Sequence, residues 1–113
     1  MAKFEIKDGV AIIPKGAREI PNNAFFGCSS LTTIIIPESV TSIKGHAFYG
    51  CSSLEIVHLP ARISICKIDS FKDCRNLKAI YVPEDKVDYY KELFPVDMHW
   101  LIVEDGSDLP VKA

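Results

Sequence analysis

Apolar and polar positions alternate along this chain in short stretches, and the stretches return at a fixed interval. Pro37–Leu59 reads PESVTSIKGHAFYGCSSLEIVHL, and the same layout stands before it in Pro14–Ile36 and after it in Pro60–Val82. Pro14, Pro37, Pro60 and Pro83 are evenly spaced by 23 (37−14, 60−37, 83−60), as are Phe25, Phe48 and Phe71, then Cys28, Cys51 and Cys74, then Leu31, Leu54 and Leu77. A period of this size marks a stack of coils, each burying its apolar face against the next. One coil alone buries too little apolar surface to offset the order it requires, so the copies must fold together.

Each copy predicts the same parts. A strand covers Thr33–Ile36, Ile56–Leu59 and Ala79–Val82. The period of two turns Ile34 and Ile36, Val57 and Leu59, and Ile80 and Val82 inward. Proline follows, where no ladder hydrogen bond has to be donated. A second extended piece places Val40 and Ile43 inside. The segments NAFFGC and HAFYGC then predict one turn of helix, with Phe48 filling the interior and Gly50 releasing the chain.

The ends differ. Met1–Ile13 reads as a hairpin turning at Asp8-Gly9, its first arm closing one end of the stack. After Pro83 the period stops. Asp85–Phe94 predicts a helix with Val87, Tyr90 and Phe94 on one stripe, ended by Pro95. His99–Glu104 predicts a last strand, and the polar tail EDGSDLPVKA is expected to fray. In the third copy Ile65 and Ile68 replace polar or glycine positions and are expected to pack against the C-terminal segment. The division is therefore 1–13 hairpin cap and half repeat, 14–82 three repeats, and 83–113 helix–strand cap and tail, all in one domain.

The residues LTTIIIPESVTSIKGHAFYGCSSL resemble the BspA-like leucine-rich repeats, which share this period. The resemblance implies an α/β fold: a short right-handed leucine-rich-repeat solenoid with a curved parallel sheet and terminal caps. It also implies an adhesion or binding role at a bacterial cell surface or in secretion.

Composition narrows the chemistry. The 113 residues carry a formal net charge of −2, which provides no field to hold nucleic acid or an anionic membrane. No apolar run approaches the roughly 20 residues that span a bilayer. The start MAKFEIKDG lacks the apolar core of a signal peptide, so a cytoplasmic location and a removed leader both stay open. The four cysteines lack C-x-x-C spacing and read as small buried hydrophobes; neighbours in one ladder point in parallel, a poor geometry for a disulfide. His46, His58 and His99 occupy unrelated positions, so no metal site, cofactor or catalytic residue is assigned.

A candidate surface remains. On the strand face turned away from the core stand Ile12, Thr33, Ile35, Ile56, His58, Ala79 and Tyr81. Ile12, Ile35, His58 and Tyr81 are spaced by 23 and predict one stripe, apolar for a solvent-facing surface. Three uses stay open: contact with a protein or glycan partner, pairing of two copies as a homodimer in a structural repeat array, or cover by this chain's own cap or tail. The residue pattern implies no enzyme.

Overall fold

Strand pairing follows the period. The computed structural model describes residues 4–67 and 69–112. Among these, nine strands form two sheets: β1 (Glu5–Lys7), β2 (Val10–Ile12), β3 (Glu19–Ile20), β4 (Thr33–Ile35), β5 (Ser42–Ile43), β6 (Ile56–His58), β7 (Ile65–Cys66), β8 (Ala79–Val82) and β9 (Ile102–Glu104). The larger sheet runs β1-β2-β4-β6-β8-β9 and the smaller β3-β5-β7. Of these strands only β1 and β2 pair antiparallel, across the turn Asp8-Gly9 at φ 52° and 81°. Every other pair is parallel, in a register that sets Ile34 beside Val57 and Val57 beside Ile80. The result is an α/β repeat fold with mostly parallel sheets.

The core lies between the sheets and the corners. All eight inward positions of the middle copy are buried: Val40, Ile43, Ala47, Phe48, Cys51, Leu54, Val57 and Leu59. Through the corners runs a column of phenylalanines. Phe25 stacks on Phe48 at 5.4 Å and Phe48 on Phe71 at 4.9 Å, with Phe4 at 5.7 Å from Phe25 and Phe94 edge-on to Phe71 at 5.9 Å.

The corners are not the helical turn the sequence predicts. They are successive tight turns, Tyr49 N–H donating to His46 O at 3.2 Å and Cys51 N–H to Phe48 O at 3.1 Å. The reason lies in the neighbouring copy. Phe25 N–H donates to Ala47 O and Gly27 N–H to Tyr49 O, both at 2.7 Å; Phe48 N–H donates to Ser70 O at 2.8 Å and Gly50 N–H to Lys72 O at 2.9 Å. Alternate N–H groups serve a ladder between repeats, so a helix cannot claim them. Each corner leaves through a left-handed residue: Gly27 at φ 66°, Gly50 at 71° and, in the third, Asp73 at 62°.

The C-terminal segment partly departs from expectation. Helix α1 (Val87–Leu93) is shorter than the expected Asp85–Phe94, since Asp85 takes φ 69° and Phe94 is extended; Pro95 follows its end as read, and Tyr90 is buried. Tyr90 Oη donates to Pro60 O and accepts from Ile63 N–H, tying α1 to the third repeat. His99, Trp100 and Leu101 belong to a 3-10 segment, Val96–Leu101, and only Ile102–Glu104 joins the sheet. The register pairs Ile80 with Ile102, a step of 22 (102−80), one short of the period. A strict search at the period therefore misses a segment that still returns to the sheet edge. Its inward position Glu104 is exposed where Ile36, Leu59 and Val82 are buried, which ends the core at this edge. Ile65 does not pack as expected: it is 46% exposed, its strand pairing with Ser42–Ile43 leaving it on the outer side. Ile68 lies outside the described residues.

Candidate binding surface

Alternation along β2, β4, β6 and β8 turns one residue in two away from the core. Pairing aligns Ile35 with His58, His58 with Tyr81, and Tyr81 with Val103, while Val10–Thr33 and Ala11–Ile34 place Ile12 next in that row. The predicted stripe is therefore continuous. Its two halves differ in what covers them. Ile12 is 48% and Ile35 58% exposed, side by side at the N-terminal half.

At the C-terminal half the chain covers its own surface. The His58 ring stacks on Tyr81 at 5.1 Å. His58 Nδ1 lies 3.5 Å from Asp105 Oδ1, and Tyr81 Oη donates to Ser107 O at 3.0 Å. The turn after β9, which passes Gly106 at φ 86°, thus holds the edge of both rings. The polar tail was expected to fray; its first residues instead lie against this row, because β9 delivers them beside Tyr81.

The inner row is less open. Thr33 and Ile56 are half-buried. Ala79 is fully buried and leaves the candidate surface. It precedes Ile80, whose partner Ile102 follows directly on the 3-10 segment, so the chain entering β9 arrives beside it.

Two features escaped the sequence reading because each needs the corners in three dimensions. Phe26, 55% exposed, stacks on Tyr49 at 5.2 Å, with His46 edge-on to Tyr49 at 5.3 Å and His46 Nε2 at 3.1 Å from Asp69 Oδ2. The periodic spacing of Phe26, Tyr49 and Lys72 was available as a signal. Second, a cleft of about 560 Å³ opens between the third corner and the 3-10 segment, lined among others by Lys72, Arg75, Asp97, Met98 and Trp100.

The cysteines sit where the period puts them. Cys51 Sγ donates to Phe25 O and Cys74 Sγ to Phe48 O, both at 3.0 Å, and all four thiols are free. A hydrogen bond with Cys51 and then burial push the Cys74 thiol up; the same bond lowers Cys51. Burial pushes Cys66 up to about 12. Cys66 and Cys74 are thereby held protonated and unreactive at neutral pH. Among the described residues no three His, Cys, Asp or Glu side chains gather as metal ligands, and no helix is long and apolar enough to cross a membrane.

Comparison with known proteins places this geometry. The sequence profile described as BspA type leucine rich repeat region (6 copies) matches residues 7–95. A solved structure, a leucine rich cell surface protein from Faecalibacterium prausnitzii A2-165, is similar at 36% identity with a TM-score of 0.56; the match covers 64% of this chain and 19% of that one. The search among curated proteins gives no match.

Proposed function

Since the chain belongs to the family of BspA type leucine rich repeat regions, which covers residues 7–95, we propose that it is a non-catalytic binding module engaging a protein partner through the outward strand face. The observation that carries this reading is the adjacent, exposed pair Ile12 and Ile35 on a sheet whose other apolar positions are largely buried. Exposed apolar clusters rimmed by polar groups are where partners dock. The rim here is Glu5, paired to Ile12, together with Thr33 and His58. In this reading the repeats at 14–82 form a short right-handed solenoid with a curved sheet. The hairpin at 1–13 and the segment at 83–113 close its ends, because a bare repeat exposes core and unpaired strand groups. The similar protein's description as a cell surface protein supports an adhesive role there. That protein is far longer than the matched region, so its role is carried over for this module alone. A glycan would need more polar groups on this face than Thr33 and His58 provide, so a protein is favoured.

The test compares the parent chain with Ile12→Asp/Ile35→Asp in retention of proteins from host and bacterial extracts, and in sedimentation. A partner retained by the parent and lost by the variant is the expected result. A concentration-dependent dimer lost in the variant, without any retained partner, assigns the face to self-association instead. Identical retention by both chains removes the strand face as the working surface.

A further inference from the structure

The corner ladder has an open end. In the first two corners the N–H groups of the phenylalanine and of the residue two further on are both bound by carbonyls of the next copy: Phe25 by Ala47 O, Gly27 by Tyr49 O, Phe48 by Ser70 O and Gly50 by Lys72 O, at 2.7–2.9 Å. In the third corner the equivalent donors are Phe71 N–H and Asp73 N–H. Among the described residues neither has a hydrogen-bond partner. After β8 the chain goes on to α1 and the 3-10 segment rather than to a fourth corner, so no further copy of the repeat supplies one. Phe71 and Asp73 both line the 560 Å³ cleft described above, a volume in the range of ligand sites.

The rest of the lining suits a peptide. Leu77, Met98 and Trp100 form an apolar wall. Lys72 and Arg75 stand on the corner side and Asp97 on the 3-10 side, and none of the three forms an ion pair among the described residues. Lys72 also continues the outer column in which Phe26 stacks on Tyr49 at 5.2 Å.

We propose that this cleft binds a peptide segment of the small–aromatic–x–glycine type, presented by a corner of another repeat chain, which docks by continuing the hydrogen-bond ladder. Two carbonyls two residues apart accept from Phe71 N–H and Asp73 N–H, as Ala47 and Tyr49 do for the first corner. An aromatic side chain at x lies over the Lys72 ammonium, a cation–π contact. The ligand's other ring meets Trp100 and Met98. Main-chain pairing gives affinity and the side-chain wall gives selectivity, as in other strand-addition modes. This site lies at the corner, apart from the strand face, and does not depend on it.

Trp100 is the single tryptophan of the chain, so its emission reports on the cleft directly. The probe is the chain's own second corner as a capped peptide, acetyl-GHAFYG-amide, titrated into the full protein to about 1 mM while Trp100 emission and amide exchange are followed. The expected result is a saturable emission change with exchange slowed at Phe71 and Asp73 by at least tenfold. The polar analogue acetyl-GHASSG-amide binds at least fivefold more weakly. Lys72→Ala, at an exposed position, weakens the probe by about two- to fivefold, the value of an exposed cation–π contact. Unchanged exchange at Phe71 and Asp73 overturns the proposal, as does equal binding of the two peptides or an unmoved Trp100 emission.

Discussion

The phenylalanine column sets a stability experiment with a calculable outcome. Phe48 is fully buried and contacts Phe25 at 5.4 Å and Phe71 at 4.9 Å, both rings within 7° of parallel. Phe48→Ala leaves a cavity at the centre of the column, where the flanking ladder hydrogen bonds at 2.8 and 2.7 Å hold the backbone and limit collapse. A buried Phe→Ala change costs about 3–5 kcal/mol. The loss of two stacked partners puts this site near the upper end, about 4–5 kcal/mol. A domain of this size has about 5–15 kcal/mol in total, so the variant should be close to its folding threshold. With a urea slope of about 1.5 kcal/mol/M, the unfolding midpoint falls by about 3 M. Phe26→Ala is the internal control. Its ring is exposed, stacking on Tyr49 and meeting His46 edge-on at 6.2 Å, so its cost should stay under about 1 kcal/mol. The assay is paired urea unfolding by circular dichroism. A Phe48→Ala cost below about 2 kcal/mol, under the range for a buried ring, would mean that the column is not what couples the repeats. So would a cost no greater than that of Phe26→Ala.

Other consequences are as direct. Tyr90→Phe strands Ile63 N–H and Pro60 O inside the protein and should cost about 1–3 kcal/mol by thermal or urea unfolding. Burial raises the Tyr90 hydroxyl from 10 to about 12, so its protonated form is favoured by folding; that stability is complete below pH 10 and lost as pH rises from 10 through 12. A melting series should show a fall in that window that shrinks in Tyr90→Phe. Asp73 holds φ 62° where the earlier corners have glycine, so Asp73→Gly should stabilise by about 0.5–1 kcal/mol in urea unfolding; Gly50→Ala, at φ 71°, should destabilise by about 1–2 kcal/mol in the same assay. Cys51 is fully buried, so a thiol reagent at pH 8 should modify it only as fast as the protein opens; Cys66, partly accessible but held near 12, should react slowly, and all four cysteines should react at once in denaturant.

The sequence by itself determined whatever recurs. The periodic columns located the strands, the inward residues and the stripe from Ile12 to Tyr81, because parallel stacking carries identical spacing into neighbouring positions. The turn Asp8-Gly9 and the proline after the final helix were equally legible, since local backbone chemistry decides them. Contacts between repeats decided the rest. NAFFGC and HAFYGC read as helix taken alone, yet their N–H groups are claimed by the adjoining copy, a competition that no single copy displays. The shortened return of β9 hid behind one missing residue; it brings chain beside Ala79, which is fully buried, and sets Asp105 and Ser107 against His58 and Tyr81. The sequence predicts Ile65 packed against the C-terminal segment, yet it stands 46% exposed, because a strand's pairing, not its apolarity, chooses the face. Periodicity fixes which residues share a column; only the closing of the chain fixes which columns meet water.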